Sequence, residues 1–464
     1  MKRENSLADS TIALNTLGDI KAESLNKTII SLALPSVLEN LLVSAVFISD
    51  TFLIGHLGDA AALAAIGLSG TYFNLANGLY QALSVGAMAL VSRAYGEKNL
   101  KEARRIGGQA VAVAVVFSIA AMLLLIPLAG WFMRLMISDP AVIAQGTIYI
   151  QLVLCTSFIA FPLQVMTGIM RATGDTRTPM YITLLMNVFN ILLALLLIFG
   201  LGPVPSLKIA GAGTATAVAR ALGGVMALIV MLKGMSKLQI GLRDMFVWRW
   251  KDVSRICGIA WPSIVDTLIQ RVGFMVFAGI VASLGTFVVA ANQIANTIES
   301  LAFMPAFGLS VSVSAIVGQA LGARRVEVAE MATRRSAWMA LIMMGFTGAC
   351  SVLFGGQIAR LFGASNEIMG LATMAVQLSA LEQPFLAMQN VFGGAFRGAG
   401  DTRSPMLVSL VGVVFFRITM VYLLAIILHL GLAGVWLGTA IDWAGRTAVM
   451  YVLYRRGKWK QLKI

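Results

Sequence analysis

Apolar residues run through this chain in blocks of about 20 or more, the length an α-helix needs to cross ~30 Å of hydrocarbon. Ala110–Trp131 and Tyr181–Leu201 are the cleanest. Polar and charged residues gather between the blocks. The pattern predicts twelve spans, at roughly 28–55, 62–93, 103–127, 141–170, 179–200, 209–232, 253–283, 288–320, 328–355, 366–397, 404–429 and 432–454. The fold class is therefore an all-α polytopic membrane protein.

A repeat organises these spans. RATGDTRTPM begins at Arg171 and RGAGDTRSPM at Arg397, an offset of 226. The same offset pairs Ser84–Gly96 with Ser310–Gly322, and Arg220 with Arg446; near the start it becomes 227, pairing Pro35, Ser36 and Glu39 with Pro262, Ser263 and Asp266. Six spans return a chain to its starting side, so the halves share one orientation and form two six-helix bundles related by a pseudo-two-fold along the membrane normal. The expected organisation is an N-terminal tail (1–27), a first lobe (28–232), a basic linker (233–252) holding Trp248 and Trp250, a second lobe (253–454) and a basic tail (455–464). In the GDTR turns, Thr178 and Ser404 are expected to cap helices that open on Pro179 and Pro405. Asp175 and Asp401 are expected to pair with nearby arginines.

Composition agrees with the pattern: 58% of 464 residues are hydrophobic and 12% are charged, against about 25% charged in a soluble domain. The +14 net charge is lopsided. Of 35 Lys and Arg, 28 fall on one side of the predicted topology, three (Arg134, Lys208, Arg360) on the other and four within helices. By the positive-inside rule both termini lie in the cytoplasm, and the basic tail reads as a membrane-surface anchor rather than a nucleic-acid site. Cys155, Cys257 and Cys350 stand far apart, and His56 and His429 match no metal motif. No P-loop and no HExxH occurs, so neither ATP hydrolysis nor metalloprotease chemistry is expected, and the chain does not read as an enzyme.

The duplicated R-x-x-GDT-R-x-P, Leu34-Pro35 with Asp50 fifteen residues on, and Ile209–Thr216 (IAGAGTAT) resemble the multidrug and toxic compound extrusion (MATE) family over about residues 25–460. The resemblance implies a V-shaped pair of bundles in a prokaryotic-type inner membrane. It further implies secondary active antiport that exports amphipathic, often cationic, compounds in exchange for H⁺ or Na⁺. Partners are then small-molecule substrates and the bilayer; a monomer without an organic cofactor is expected.

Charges inside spans cost about 2.5–3.5 kcal/mol each at the helix centre on insertion scales, so each needs a reason. Asp50, between apolar stretches of the first span, is placed to bind a cation or a proton. By resemblance it matches the family's ion-coupling aspartate, and Tyr149, Gln164, Thr167, Asn190 and Thr216 line its pocket, with a sodium site possible at Asp50, Asn190 and Thr216. Two carboxylates found in sodium-binding or related branches of the family are replaced here by Ala194 and Gln270, which leans the reading towards protons. In the second lobe Arg271, Glu299, Glu382 and Arg417 are expected to form a charge network, with Glu382 and Arg417 paired. Asp442 and Arg446, four apart, suit an intrahelical pair. Glu39 and Asp266 would line the cytosolic entrance, and Pro35 is expected to bend the first helix. A lipid-linked oligosaccharide flippase shares the broad architecture but tends to carry a strongly cationic cavity. Asp50 among neutral polar residues argues instead for cationic substrates.

Overall fold

The computed structural model describes residues 17, 20–200, 205–360, 365–462 and 464. Most of the expected N-terminal tail and Lys463 of the basic tail lie outside these residues. Among them every regular element is helical.

The first lobe holds α1 (Leu25–Gly55), α2 (Ala60–Gly96), α3 (Leu100–Met136), α4 (Pro140–Cys155, continuing after a 52° bend as Ser157–Ala172), α5 (Arg177–Phe199) and α6 (Lys208–Lys233). After a short helical turn, Leu242–Phe246, the second lobe holds α7 (Trp250–Ser283), α8 (Thr286–Gly322), α9 (Val326–Arg360), α10 (Asn366–Ser379, then Gln383–Ala399), α11 (Arg403–Ile427) and α12 (Gly431–Arg456). Among the described residues nine helices are long and apolar enough to cross a membrane, and bent α4 makes ten. Broken α10 and α12, which carries Asp442 and Arg446, complete twelve.

Local chemistry sets the helix ends. Asp59 accepts from the Ala62 N–H at 3.1 Å and opens α2; Asn99 and Asp139 do the same for α3 and α4. The GDTR turns differ from expectation. Asp175 accepts from the Thr178 N–H (3.1 Å) and Asp401 from the Ser404 N–H (3.0 Å), so the aspartates, not Thr178 and Ser404, bind the free amides at the starts of α5 and α11. Their carboxylates are turned back on the chain rather than out to arginines. Gly174 and Gly400 precede them at φ +82° and +83°, a conformation that costs glycine little. The repeat reaches individual hydrogen bonds: Ser84 donates to the Gln164 carbonyl at 2.9 Å, and Ser310, 226 residues on, donates to the Asn390 carbonyl at 2.8 Å. Both α1 and α7 run unbroken through Pro35 and Pro262.

The buried apolar residues fall into three groups, and their membership gives the shape. One core draws on both lobes at the end bearing the termini: Leu83–Tyr95 of α2 and Val165–Ala172 of α4 pack with Leu309–Leu321 of α8 and Val391–Ala399 of α10. At the far end the lobes part. One core is built from α1–α6 alone (Ile54, Tyr80, Ile150, Ala194, Ala215) and another from α7–α12 alone (Phe277, Ala291, Val376, Val421, Trp436). The molecule is closed at the terminus-bearing end and divided at the other. Lipid offers no hydrophobic drive to pack helices, so close packing of small residues carries the contact. Gly96 lies against the Gln319 backbone and Gly322 against that of Arg93, where α2 crosses α8.

The ends of the chain tie this closed face. The Leu17 N–H reaches Gln319 Oε1 at 2.8 Å, and Gln319 Nε2 donates to the Ala172 carbonyl at 2.6 Å. The basic tail folds back on the protein. Trp459 is buried and stacks on Tyr454, Lys460 pairs with Glu330, and Arg93 donates to the Leu462 carbonyl at 2.7 Å. Its tryptophan and backbone thus find partners in the protein, while Arg455, Arg456 and Lys458 stay exposed.

Candidate functional site

Asp50 is 1% exposed, well inside the first lobe. Its Oδ2 accepts from the Tyr149 hydroxyl (3.0 Å) and the Thr216 hydroxyl (2.7 Å), and Asn190 Nδ2 donates to Thr216 at 3.1 Å. Four residues from α1, α4, α5 and α6 thus meet at one carboxylate. Asp50 Oδ1 and Asn190 Oδ1 are buried with no hydrogen-bond partner among the described residues. Buried acceptors left unpaired cost about 1–3 kcal/mol each, so this cluster suits a bound proton or a hard cation that accepts oxygen ligands. Ala194, one turn from Asn190, is fully buried and adds no ligand.

Arg220 is the neighbour that the sequence reading left out of this cluster. It lies one turn after Thr216, places its guanidinium 5.7 Å from the Phe73 ring centre, and is electrostatically coupled to Asp50 and Tyr149. Gln164 and Thr167, expected beside Asp50, line a different space. The 52° bend of α4 separates them from Tyr149 and carries them to the interface between lobes.

That space is a cavity of about 720 Å³ between the lobes. Arg171, Arg220, Arg271, Arg397 and Arg446 line it, against the carboxylates Glu39 and Asp266. Arg171 pairs with Glu39 at 2.9 Å and also donates to Thr167. The repeat places Arg397 with Asp266 as the second-lobe counterpart, and Arg397 donates to the Ser310 hydroxyl at 2.9 Å. The expectation that acidic and neutral groups dominate the substrate space is therefore corrected: Asp50 is enclosed in its lobe, and the cavity itself is basic. The signal was present in the R-x-x-GDT arginines, in the last turn of α4 and α10, which line the space between the lobes.

The second-lobe charges also rearrange. Glu382 and Arg417 do not pair. Arg417 belongs to the π-helical stretch Gly412–Ile418 of α11, which packs on α12 and carries its Nε to Asp442 at 2.8 Å. Arg446 binds the other oxygen of Asp442 at 2.5 Å, as the i,i+4 spacing predicts, and both guanidinium groups lie 5.2 Å from the Trp443 ring centre. Glu382 sits at the break in α10, its carboxyl facing that of Glu299 on α8. Neither Glu382 oxygen has a hydrogen-bond donor among the described residues; nearby Thr439 donates to the Trp436 carbonyl instead. Arg271 faces the interlobe cavity, whereas Arg417, bound to Asp442, still acts electrostatically on the Glu299–Glu382 carboxyl pair.

Comparison with known proteins matches this arrangement at several levels. The MatE family model matches residues 35–196 and again 262–423, once in each lobe. A probable multidrug resistance protein NorM of Thermotoga maritima is 28% identical over 96% of this chain and 96% of its own length. The multidrug resistance protein MdtK of Yersinia pestis is 26% identical over 94% of this chain and 95% of its own. Among solved structures, a MOP superfamily transporter from Pyrococcus furiosus, described as having a binding pocket of reverse polarity, superposes with a TM-score of 0.87 at 22% identity, covering 96% of this chain and 99% of that one.

Proposed function

The chain belongs to the MatE family, a family of multi-pass membrane transporters, and from that premise we propose that it is a secondary active antiporter moving amphipathic small molecules out of the cell by alternating access. Both termini and the closed face are cytoplasmic in this reading, the divided face opens outward, and the membrane is the inner one. The observation that carries the proposal is the enclosed Asp50 cluster, with two unpaired buried oxygens, beside an interlobe cavity closed at one end.

The coupling ion proposed is the proton. Arg220 already brings a fixed positive charge towards Asp50, so a sodium ion there would meet like-charge repulsion, whereas protonation only removes the carboxylate's charge. Loss of that charge releases the hold of Asp50 on Tyr149, Thr216 and Arg220, which come from α4 and α6, and lets α1 shift against them. A specific observation favours a second reading of the cargo: the arginine-rich cavity suits the lipid-linked oligosaccharide flippase considered above better than acidic and neutral walls would.

Proteoliposomes test the coupling. An imposed pH gradient should drive substrate movement, and Asp50→Asn should reduce it at least about tenfold, the effect of losing ~1.4 kcal/mol of coupling, while expression and thermal stability persist. At equal pH and zero membrane potential a sodium gradient alone should drive nothing. Sodium-driven transport that disappears in Asp50→Asn would overturn the proton assignment. Near wild-type transport by Asp50→Asn would remove Asp50 from the mechanism.

A further inference from the structure

We propose that the second-lobe wall of the interlobe cavity binds the oxyanion head (carboxylate, phosphate or sulfonate) of an amphipathic substrate, with Arg397 and Arg446 as its ligands. The proposal names the substrate class for the transporter described above and rests on that reading only for what happens after binding.

Among the residues that line the cavity five arginines face two carboxylates, and three of the five (Arg271, Arg397 and Arg446) stand on the second-lobe wall. Arg171 has Glu39 at 2.9 Å, and Arg220 has Asp50 as its electrostatic partner. The second-lobe lining of the cavity sets Arg271, Arg397 and Arg446 beside one carboxylate, Asp266; Arg417 and Asp442 are not part of that lining, and Arg417 also acts on Glu299 and Glu382. Arg446 carries the argument furthest. It is 2% exposed and lines the cavity, its Nε is used by Asp442, and its Nη2 is buried with no acceptor among the described residues. A buried guanidinium N–H left unpaired is costly, and an oxyanion is the partner its fork geometry fits. Gly412 is what lets that side chain lie where it does, because a Cβ there would collide with it. Arg397 commits one nitrogen to Ser310, and Gly393 carries no side chain where a Cβ would come within 3.3 Å of the Arg397 guanidinium. Phe303, Phe307, Val311 and Met450 line the same cavity and offer an apolar bed for the rest of such a molecule. Amphipathic cations would instead meet an excess of like charge on this wall.

Two xanthene dyes of opposite charge provide the test: anionic carboxyfluorescein and cationic rhodamine 6G, titrated by fluorescence polarisation against the full chain in phosphatidylcholine nanodiscs. The wild type should bind the anion about tenfold more tightly than the cation, the factor a single charge-assisted hydrogen bond carries. Arg397→Gln should lower anion affinity about tenfold and leave rhodamine 6G unchanged or tighter. Because Arg446 also holds Asp442, the informative variant there is Arg446→Lys, which keeps the charge but loses the fork, and it too should weaken the anion. Tighter binding of rhodamine 6G, no anion binding by the folded wild type, or an anion affinity unmoved in both variants would overturn the assignment. Repeating the titration with phosphatidylglycerol in the disc identifies the source of the head group. Competition assigns the site to a lipid head, and unchanged dye affinity assigns it to a soluble anion. A protein that binds the anion but moves neither dye under any gradient refutes the transporter reading and keeps the site. One that exports rhodamine 6G without binding the anion does the reverse.

Discussion

Asp442 shows how residue-scale electrostatics in this protein are settled by what stands opposite, not by what is near in sequence. It is fully buried and holds Arg417 and Arg446 at once. Removing one member of a buried ion pair costs about 3–5 kcal/mol, because the survivor stays buried and charged. Asp442→Asn, which leaves two arginines without their carboxylate, should lower the melting temperature markedly, and adding Arg417→Gln should recover part of the loss. Arg417→Gln combined with Glu382→Gln should show a smaller coupling, since Arg417 acts on Glu382 through space without a hydrogen bond; a coupling as large as that with Asp442 would show a direct pair. At the surface, Asp59 gives a pH-dependent counterpart. The Ala62 N–H, and after it the Gln145 amide, hold its carboxyl below the usual carboxylate range. A depressed folded value means that its contribution is complete above about pH 4, the ordinary value, and fades as pH falls through the lower folded one. Asp59→Ala should remove about 1 kcal/mol of capping near neutrality and less in strong acid. Equal destabilisation at both pH values would show that the charge plays no part. Asp50, Arg446 and Glu382 could be picked out as buried charges from the sequence. The i,i+4 spacing also gave Asp442 to Arg446, and the family resemblance gave Tyr149 and Thr216 to Asp50, but Arg220 beside Asp50 and Arg417 on Asp442 enter from other helices and were not legible along the chain.

At the scale of elements, the internal repeat specifies more than helix number. Gly174 and Gly400, Asp175 and Asp401, and Ser84 and Ser310 make equivalent contacts in the two lobes. Gly96 and Gly322 are also equivalents, yet they work together rather than in parallel, since each receives the other lobe's backbone where α2 crosses α8. A methyl group at either position has no room. Gly322→Ala should destabilise the protein by about 1–3 kcal/mol, as overpacking does, and should shift spin-label distances across the terminus-bearing face outward. Gly345→Ala, in open space on α9, is the control and should be neutral or mildly stabilising. Equal behaviour of the two variants would mean that the crossing is not tightly packed. The bends are less legible. Proline was the sequence's only signal for them, but α1 runs through Pro35, while α10 breaks at the residues before Pro384 and α4 bends at Thr156, well before Pro162.

At the scale of the whole molecule, one core is shared at one end and two stand apart at the other, the arrangement on which the proposed alternating access would act. That alternation requires the shared core to open and the other two to approach. Gly78 of α2 and Thr267 of α7 face each other across the lobes, and a Cβ at Gly78 would lie 4.0 Å from Thr267 Cβ, within the range of a disulfide. With Cys155, Cys257 and Cys350 replaced by serine, Gly78→Cys with Thr267→Cys should cross-link on oxidation and stop transport, and reductant should restore it. Full transport by the cross-linked protein would show that the lobes need not separate along α2 and α7.

Apolar block length and spacing were enough to determine twelve helices. The 226-residue offset was enough to determine two lobes of one orientation, and Asp50 of the first span marked the candidate site that Tyr149 and Thr216 enclose. These are properties of short segments in lipid, where a backbone must satisfy its own hydrogen bonds and a buried charge needs a cause. Which charges meet depended on how separate helices bend and cross. The bend in α4 divides Tyr149 from Gln164, and the π-helical turn of α11 gives Arg417 to Asp442 instead of Glu382. The polarity of the cavity was likewise decided by the tertiary structure. Arginines that look like ordinary helix-end charges along the chain become its walls only when two lobes pack face to face, because the sign of a site is the sum over all the elements that surround it.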